Sequence, residues 1–268
     1  MGKKFASVLV PVALAVFLIL VDGCGAYNPG GTGGGGTGGG SSPGAAQGFY
    51  DCNLQQGAPA MEALILPTDV FYGVLGTLLP SSFTPTALVT GQGASGTTTY
   101  TGNLTEFLPS GGTSSSTLAA TDVPNESISG TLTETGGVKV GFGGAFLPTA
   151  FYDYSTAASL STITGVWTGK LLDGSLVTLS IGNTGSIVTT STGCQVTGNV
   201  TTFSSNTINV FSVTNLKFGP SPCVNNLANQ TASAAVAVVF LLPDGATSQL
   251  LMSATFGSTA GTVFSAQR

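Results

Sequence analysis

Histidine is absent from this sequence. Its absence removes the commonest general base and the commonest metal ligand. A His-based catalytic triad, a zinc-hydrolase site and His-ligated haem are therefore excluded. Cations are almost as scarce: beyond residue 23 only Lys139, Lys170, Lys217 and Arg268 stand against ten acidic residues, a net charge of 4 − 10 = −6. Four scattered cations make neither a phosphate-neutralising patch nor a polybasic membrane patch, so no nucleic-acid partner is expected. Charged residues are only 6% of the chain, yet 42% is apolar, so the low charge does not signal disorder. Ser and Thr on strands can cover a solvent face with hydroxyls instead. There is no G-x-x-x-x-G-K-[ST] phosphate loop and no G-x-S-x-G elbow. Gly91-Gln92-Gly93-Ala94-Ser95-Gly96 fits the loose G-x-G-x-x-G spacing but lies in Thr-rich, strand-like sequence with no helix after it, and reads as a turn.

What is present begins with Lys3 and Lys4 and an apolar run of 17 residues from Phe5 to Val21. That is the layout of a secretory signal. It stops at Val21-Asp22-Gly23-Cys24, which resembles the lipobox of bacterial lipoproteins, although Asp22 departs from the usual small or aliphatic residue. The other reading is an uncleaved N-terminal anchor with an incidental cysteine. The resemblance implies lipidation at Cys24 and a membrane partner through that anchor. With Gly25 rather than Asp after the cysteine, it implies the outer membrane, on its periplasmic or its surface side. Residues 27–44 are almost only Gly, Thr, Ser and Pro, a tether with a reach of about 25 Å.

From residue 48 onward every signal is β: short runs rich in Val, Ile, Thr, Tyr and Phe, punctuated by Gly, Pro, Asn and Ser. Strands are expected near 47–53, 60–66, 69–76, 85–92, 97–107, 115–121, 126–134 and 137–146. A second set is expected near 163–170, 174–181, 185–191, 194–203, 207–218, 230–242, 247–255 and 260–267, with one short helix at 155–161 between the sets. The two halves echo one another. Thr101-Gly102-Asn103-Leu104-Thr105-Glu106-Phe107 matches Thr197-Gly198-Asn199-Val200-Thr201-Thr202-Phe203 at a spacing of 96, and Gly48-Phe49-Tyr50 matches Gly165-Val166-Trp167. Eight antiparallel strands in about 100 residues have an edge problem, which closure into an up-and-down barrel removes. The expected fold is all-β, with two consecutive eight-stranded barrels; two β-sandwiches are the competing architecture. The expected layout is a signal peptide 1–23, a tether 24–46, a first barrel 47–150, a linker 151–162 and a second barrel 163–268. The run 232–242 is apolar on both faces, so its outer face needs a cover: the sister domain, the membrane or a partner.

Cys194 opens one strand and Cys223 follows the next. The outgoing and returning strands bring both to the same end, which suits a disulfide in an exported chain. Cys52 is then odd, either a buried thiol or a site of intermolecular pairing. The sequons at Asn103, Asn125, Asn199 and Asn229 read as chance in a Thr-rich chain.

Gly165-Val166-Trp167-Thr168-Gly169 resembles the G-x-W opening of lipocalin-like barrels, in which the indole plugs the closed end. By that resemblance Trp167 is a core plug, with Tyr50 its counterpart in the first half. With the strand Ser191–Gly198 and the loop Phe218–Cys223, this layout resembles proteobacterial lipoproteins whose barrels are similar to those of transferrin-binding protein B and related surface lipoproteins. The expected function is a non-enzymatic, lipid-anchored envelope protein that binds a protein, a glycan or a small apolar ligand through barrel loops or interior. Loops 78–86 and 108–116 would be its contact surface. A structural or assembly component of the outer membrane is the alternative. A hydrolase using Glu62, Glu106, Asp153 or Asp173 comes last. No catalytic residue, cofactor or metal is expected.

Overall fold

The computed structural model describes residues 44–55, 60–204, 207–220, 222–223 and 227–268. The signal segment, Cys24 and the tether up to residue 43 lie outside the described residues. Sixteen strands form two closed antiparallel barrels, each strand hydrogen-bonded to its sequence neighbours and the first strand to the last. Barrel 1 consists of β1 (Gly48–Leu54), β2 (Ala60–Ile65), β3 (Val70–Leu79), β4 (Ser82–Ser95), β5 (Thr99–Phe107), β6 (Thr113–Val123), β7 (Ser127–Glu134) and β8 (Lys139–Phe146). Barrel 2 consists of β9 (Gly165–Leu171), β10 (Leu176–Ile181), β11 (Ser186–Thr189), β12 (Val196–Thr202), β13 (Phe211–Phe218), β14 (Ala234–Leu241), β15 (Ser248–Phe256) and β16 (Ala260–Gln267). The sandwich alternative is thereby set aside: closure pairs β1 with β8 and β9 with β16, which leaves no free edge.

Alternation sorts the side chains to two faces. In barrel 1 the inward set includes Tyr50, Cys52, Met61, Ala63, Phe71, Tyr100, Leu104, Leu118, Ile128 and Phe142, packed as one core. In barrel 2 it includes Trp167, Leu179, Val200, Phe211, Phe218, Met252 and Phe264. A third core lies between the barrels and joins the outward faces of both. Leu64, Tyr72, Val74, Phe83 and Phe107 of barrel 1 meet Val236, Val238, Phe240, Leu251 and Val263 of barrel 2. The apolar outer face of β14 is thus covered by the sister barrel. Phe49 sits at the centre of this seam, with ring centroids 5.0 Å from Tyr152 and 5.1 Å from Phe240. The seam also explains a break in the internal repeat. Phe49 is 1% exposed, whereas its counterpart Val166 is 60% exposed, because the outer face of β9 looks into solvent.

Several details differ from the sequence expectation: the loop expected at 108–116 is only the turn 108–112, since β6 already begins at Thr113, and the strand expected from 230 begins at Ala234. The helix α1 is Leu160–Ile163 rather than 155–161. Asp153 instead ties residues 153–156 into a turn, its carboxylate accepting from Ser155 N–H at 3.1 Å and Thr156 Oγ1 at 2.5 Å. Residues 207–210 are not strand. Ile208 and Val210 fill the seam while the backbone bonds the linker, with Ala158 N–H donating to Ile208 O and Asn209 N–H to Tyr154 O. Finally, 78–86 is not a free loop but the end of the long β3–β4 hairpin, laid on barrel 2. Phe83 is buried there, its carbonyl accepts from Ser265 Oγ at 2.8 Å, and Pro80 O accepts from Asp244 N–H at 3.0 Å. Contacts with a neighbouring barrel, which local sequence does not encode, extend the strands.

The chain enters barrel 1 at a fixed point. Asp69 holds it, its Oδ1 accepting from Gly44 N–H at 3.0 Å and Ser95 Oγ at 2.5 Å, while its carbonyl accepts from Tyr100 OH at 2.6 Å. Asp69 adopts φ 61°, an uncommon left-handed conformation outside glycine. Gly44, at φ +79°, has no room for a Cβ, which would lie 2.7 Å from Pro67 O. Asp69→Ala is expected to cost about 1–3 kcal/mol through lost buried bonds, read as a lower urea midpoint with faster amide exchange at Gly44 and Ala46. An unchanged midpoint would show that the clamp carries no stability.

Candidate functional site

The two aromatic residues singled out in the sequence occupy matching places. Trp167 and Tyr50 are each the third residue of their barrel's first strand, and both are fully buried. Each donates to the carbonyl four residues earlier: Trp167 Nε1–H to Ile163 O at 2.7 Å, Tyr50 OH to Ala46 O at 3.0 Å. In barrel 2 the end beneath the indole is sealed by α1 and by Arg268, whose guanidinium lies 4.2 Å from the ring centroid. Arg268 also donates to Thr164 O and Thr162 O at 2.6 and 2.7 Å. In barrel 1 the segment 44–47 fills the corresponding place. Burial first, then the nearby Asp122 carboxyl, pushes the Tyr50 phenol well above its ordinary range, so it stays a donor. Cys194 and Cys223 form a disulfide at the other end of barrel 2, 29 residues apart in sequence. Cys52 is a buried free thiol inside barrel 1. Burial and the Glu62 and Asp51 carboxyls push its pKa up, which leaves it neither exposed nor ionised for pairing with another chain.

The interior of barrel 2 leaves little room for a ligand. The cavity inside barrel 2, among Leu179, Val196, Phe218 and Phe264, measures about 10 Å³, against roughly 300 Å³ or more for a small-molecule site. Space of ligand size lies outside, on barrel 1. A groove of about 340 Å³ runs along the outer face of β5, β6 and β7, lined by Asn103, Thr105, Ser115, Thr117, Thr133 and Thr135, with Glu134 at one end. The ladder brings these residues into rows. Thr99, Thr121 and Ser129 form one row, Thr101, Ala119 and Thr131 the next, and Asn103, Thr117 and Thr133 a third. Thr105 and Ser115 pair in a fourth row, which Thr135 completes by donating its N–H to Ser115 O. All but Ala119 carry a hydroxyl or an amide. Thr101, Thr105, Thr117, Thr131 and Thr133 make no side-chain hydrogen bond among the described residues and are free to bond a partner. The alternating Thr-x-Thr pattern shows in the sequence. The cross-strand register that stacks three such strands does not, so attention to loops alone misses the face.

At one end of the face the turns 108–112 and 135–138 lie together, at the barrel end opposite to Gly44. They add exposed Leu108 and Val138 to the polar surface. Among the described residues no aromatic side chain is exposed. The carboxylates proposed for hydrolysis do not converge. Glu106 Oε2 accepts from Ser114 Oγ at 2.7 Å in barrel 1, Asp153 closes its turn in the linker, and Asp173 Oδ1 accepts from Ser175 N–H at 2.8 Å in the β9–β10 turn. Glu62 is buried between the barrels. No group of three or more His, Cys, Asp or Glu side chains that could hold a metal occurs among the described residues.

The fold defines the chain as a two-barrel protein, each barrel closed, antiparallel and eight-stranded. No protein-family model matches it, and no curated protein does. Among solved structures it aligns with the vaccine antigen transferrin binding protein B from Haemophilus parasuis Hp5, in a single-site mutant form. The alignment covers 78% of this chain and 66% of that one at 9% identity, with a TM-score of 0.25. It also aligns with intact Ap-TbpB, both N and C lobes, over 78% and 67% of the two chains at 8% identity and a TM-score of 0.19. The chain thus spans about two thirds of the length of these structures, and likeness at this level transfers neither fold nor function.

Proposed function

We propose that this protein is a non-enzymatic, lipid-anchored component of the bacterial outer membrane that binds a protein partner through the hydroxyl face of β5–β7 and the adjoining turns. In this reading residues 1–23 are the signal peptide, Cys24 carries the lipid and the tether runs from there to residue 43, three residues shorter than expected, because Gly44 and Ala46 are already held in barrel 1. The carrying observation is the contrast between the packed interior of barrel 2 and an external groove of about 340 Å³ on barrel 1. A small apolar ligand finds too little space inside barrel 2. Among the described residues a glycan finds no exposed aromatic ring to stack on. A protein surface can use an uncharged array of hydroxyls flanked by Leu108 and Val138, which combines hydrogen-bond capacity with a small apolar margin. The assembly reading has the apolar strands dock to another membrane component, and the outward apolar residues of β2, β3 and β14 already cover one another in the seam.

Photo-crosslinking residues at positions 117 and 133, with position 168 on the outer face of barrel 2 as control, test this in whole cells. The expected result is one discrete protein adduct at 117 and 133 and none at 168. Thr117→Arg or Thr133→Arg, made singly because the two face each other in the ladder, should weaken that association at least tenfold while leaving stability within about 0.5 kcal/mol, as for other surface changes. Adducts at all three positions alike, or at none, would remove the face from consideration. Mass spectrometry of the membrane-purified protein, with and without Cys24→Ala, tests the anchor separately.

A further inference from the structure

Glu62 lies on the outward face of β2, in one ladder row between Asp51 on β1 and Val74 on β3. The side chain is 2% exposed and its Oε2 has no hydrogen-bond partner among the described residues. It lines a cavity of about 10 Å³ in the seam between the barrels, facing Val236, Val238, Leu251 and Ser253 of barrel 2. That wall carries no titratable group. The titratable groups around Glu62 all belong to barrel 1: Asp51 across the ladder, Cys52 beside it on the inner face, and Tyr72, which lines the same cavity. The described cations stand elsewhere. Lys139 opens β8, Lys170 lies in β9, Lys217 lies in β13, and Arg268 covers Trp167.

An unpaired carboxylate is not sustained against such a wall. A metal ion in its place would need several oxygen ligands, and apolar side chains dominate the lining. The remaining option is a neutral carboxylic acid while the seam is closed. Burial first, and then Asp51, raise the Glu62 carboxyl well above the usual range. Asp51 is itself raised by burial. We propose that Glu62 is a proton-operated latch between the two barrels: neutral, it lets β14 and β15 seat on β2 and β3, and ionised, it opens the seam to water. The sign follows from a raised value in the docked state. Docking is fully present at pH below the ordinary glutamate range and is lost as pH rises through the raised value of the docked form. Opening exposes Leu64, Tyr72 and Val74, a new apolar stripe on barrel 1.

Energy transfer between dyes on azide-bearing residues at positions 117 and 178, one on each barrel, reads the latch in the full chain held in detergent micelles. From pH 5 to pH 9 the transfer efficiency of the wild type is expected to fall at least twofold with unchanged strand circular dichroism. Glu62→Gln and Glu62→Leu should hold the low-pH value throughout. Asp51→Asn should move the transition to lower pH, since it removes a charge that opposes ionisation of Glu62. A flat wild-type profile, a transition that persists in both Glu62 variants, or loss of strand signal together with transfer would each overturn the latch.

Discussion

Trp167→Ala should lower the stability of barrel 2 by about 3–5 kcal/mol, the range for deleting a large buried aromatic. Three losses combine there. The indole fills the sealed end of the barrel and is fully buried. Its Nε1–H satisfies Ile163 O, the last residue of α1, at 2.7 Å. Its ring face holds the Arg268 guanidinium, which in turn bonds Thr162 O and Thr164 O. Removing the indole therefore opens a cavity and takes away the side-chain bond that ties the end of α1 to β9. Trp167 is the sole tryptophan of the chain, so its fluorescence reports on barrel 2 in the wild type. The variant needs residue-resolved amide exchange. Protection in β9, β10 and β16 should fall most, while barrel 1 keeps its protection because Trp167 belongs to the core inside barrel 2 and not to the seam. A loss under about 1 kcal/mol, below the usual large-to-small cost, would mean the indole merely occupies space that the barrel can close.

Opening the Cys194–Cys223 disulfide should have the second largest effect. The bridge spans 29 residues, including the whole of β12 and β13. Closing a loop of that size is worth about 3–4 kcal/mol in the chain-entropy model. Among the described residues the ladder between β13 and β14 registers Phe211 with Ala237 and Ser212 with Val236, and towards the other end an isolated bridge between Lys217 and Thr231 is flanked by bonds from Phe218 N–H to Gln230 O and Ala232 N–H to Leu216 O. The covalent link thus ties the connection between β13 and β14 to the residue pair that leads into β12. Cys194→Ser with Cys223→Ser, or dithiothreitol on the native chain, should shift the fluorescence-detected urea midpoint down by the corresponding amount. Cys52→Ser should not reproduce this effect. Equal midpoints with and without reductant would show that packing alone closes the β13–β14 side.

These expectations rest on features of unequal visibility in the sequence. The solvent-facing strands are legible because they alternate an inward apolar residue with an outward hydroxyl, as in Thr99-Tyr100-Thr101, and the seam strands because they are continuous apolar runs, as in β14. The barrel plugs are legible because Gly-Phe-Tyr and Gly-Val-Trp repeat. The disulfide follows from one hairpin's geometry. What the sequence hides is nearly all produced by the second barrel. Nothing local marks Phe49 as buried and Val166 as exposed, nor shows that β3 and β4 run on to Leu79 and Ser82 because Phe83 packs against β16. Glu62 reads as a surface carboxylate on a strand until β14 and β15 cover it. The hydroxyl face depends in the same way on register, which places Asn103, Thr117 and Thr133 in one row although they are spread over three strands.

The closure of each barrel by its own first and last strands has a consequence for how the chain acquires its structure. Within barrel 1 every pairing joins sequence neighbours except β1 with β8, so a chain emerging from its N-terminus can complete that barrel once Phe146 is available. The seam cannot form then, because β14 and β15 lie about 90 residues further on. In that interval Leu64, Tyr72, Val74 and Phe83 form an uncovered apolar stripe on an otherwise finished domain. Such a half-made species is the point in the protein's lifetime most open to chaperone capture or to pairing with a second copy of itself. Truncations that end between residues 164 and 230 should therefore aggregate more readily than the full chain.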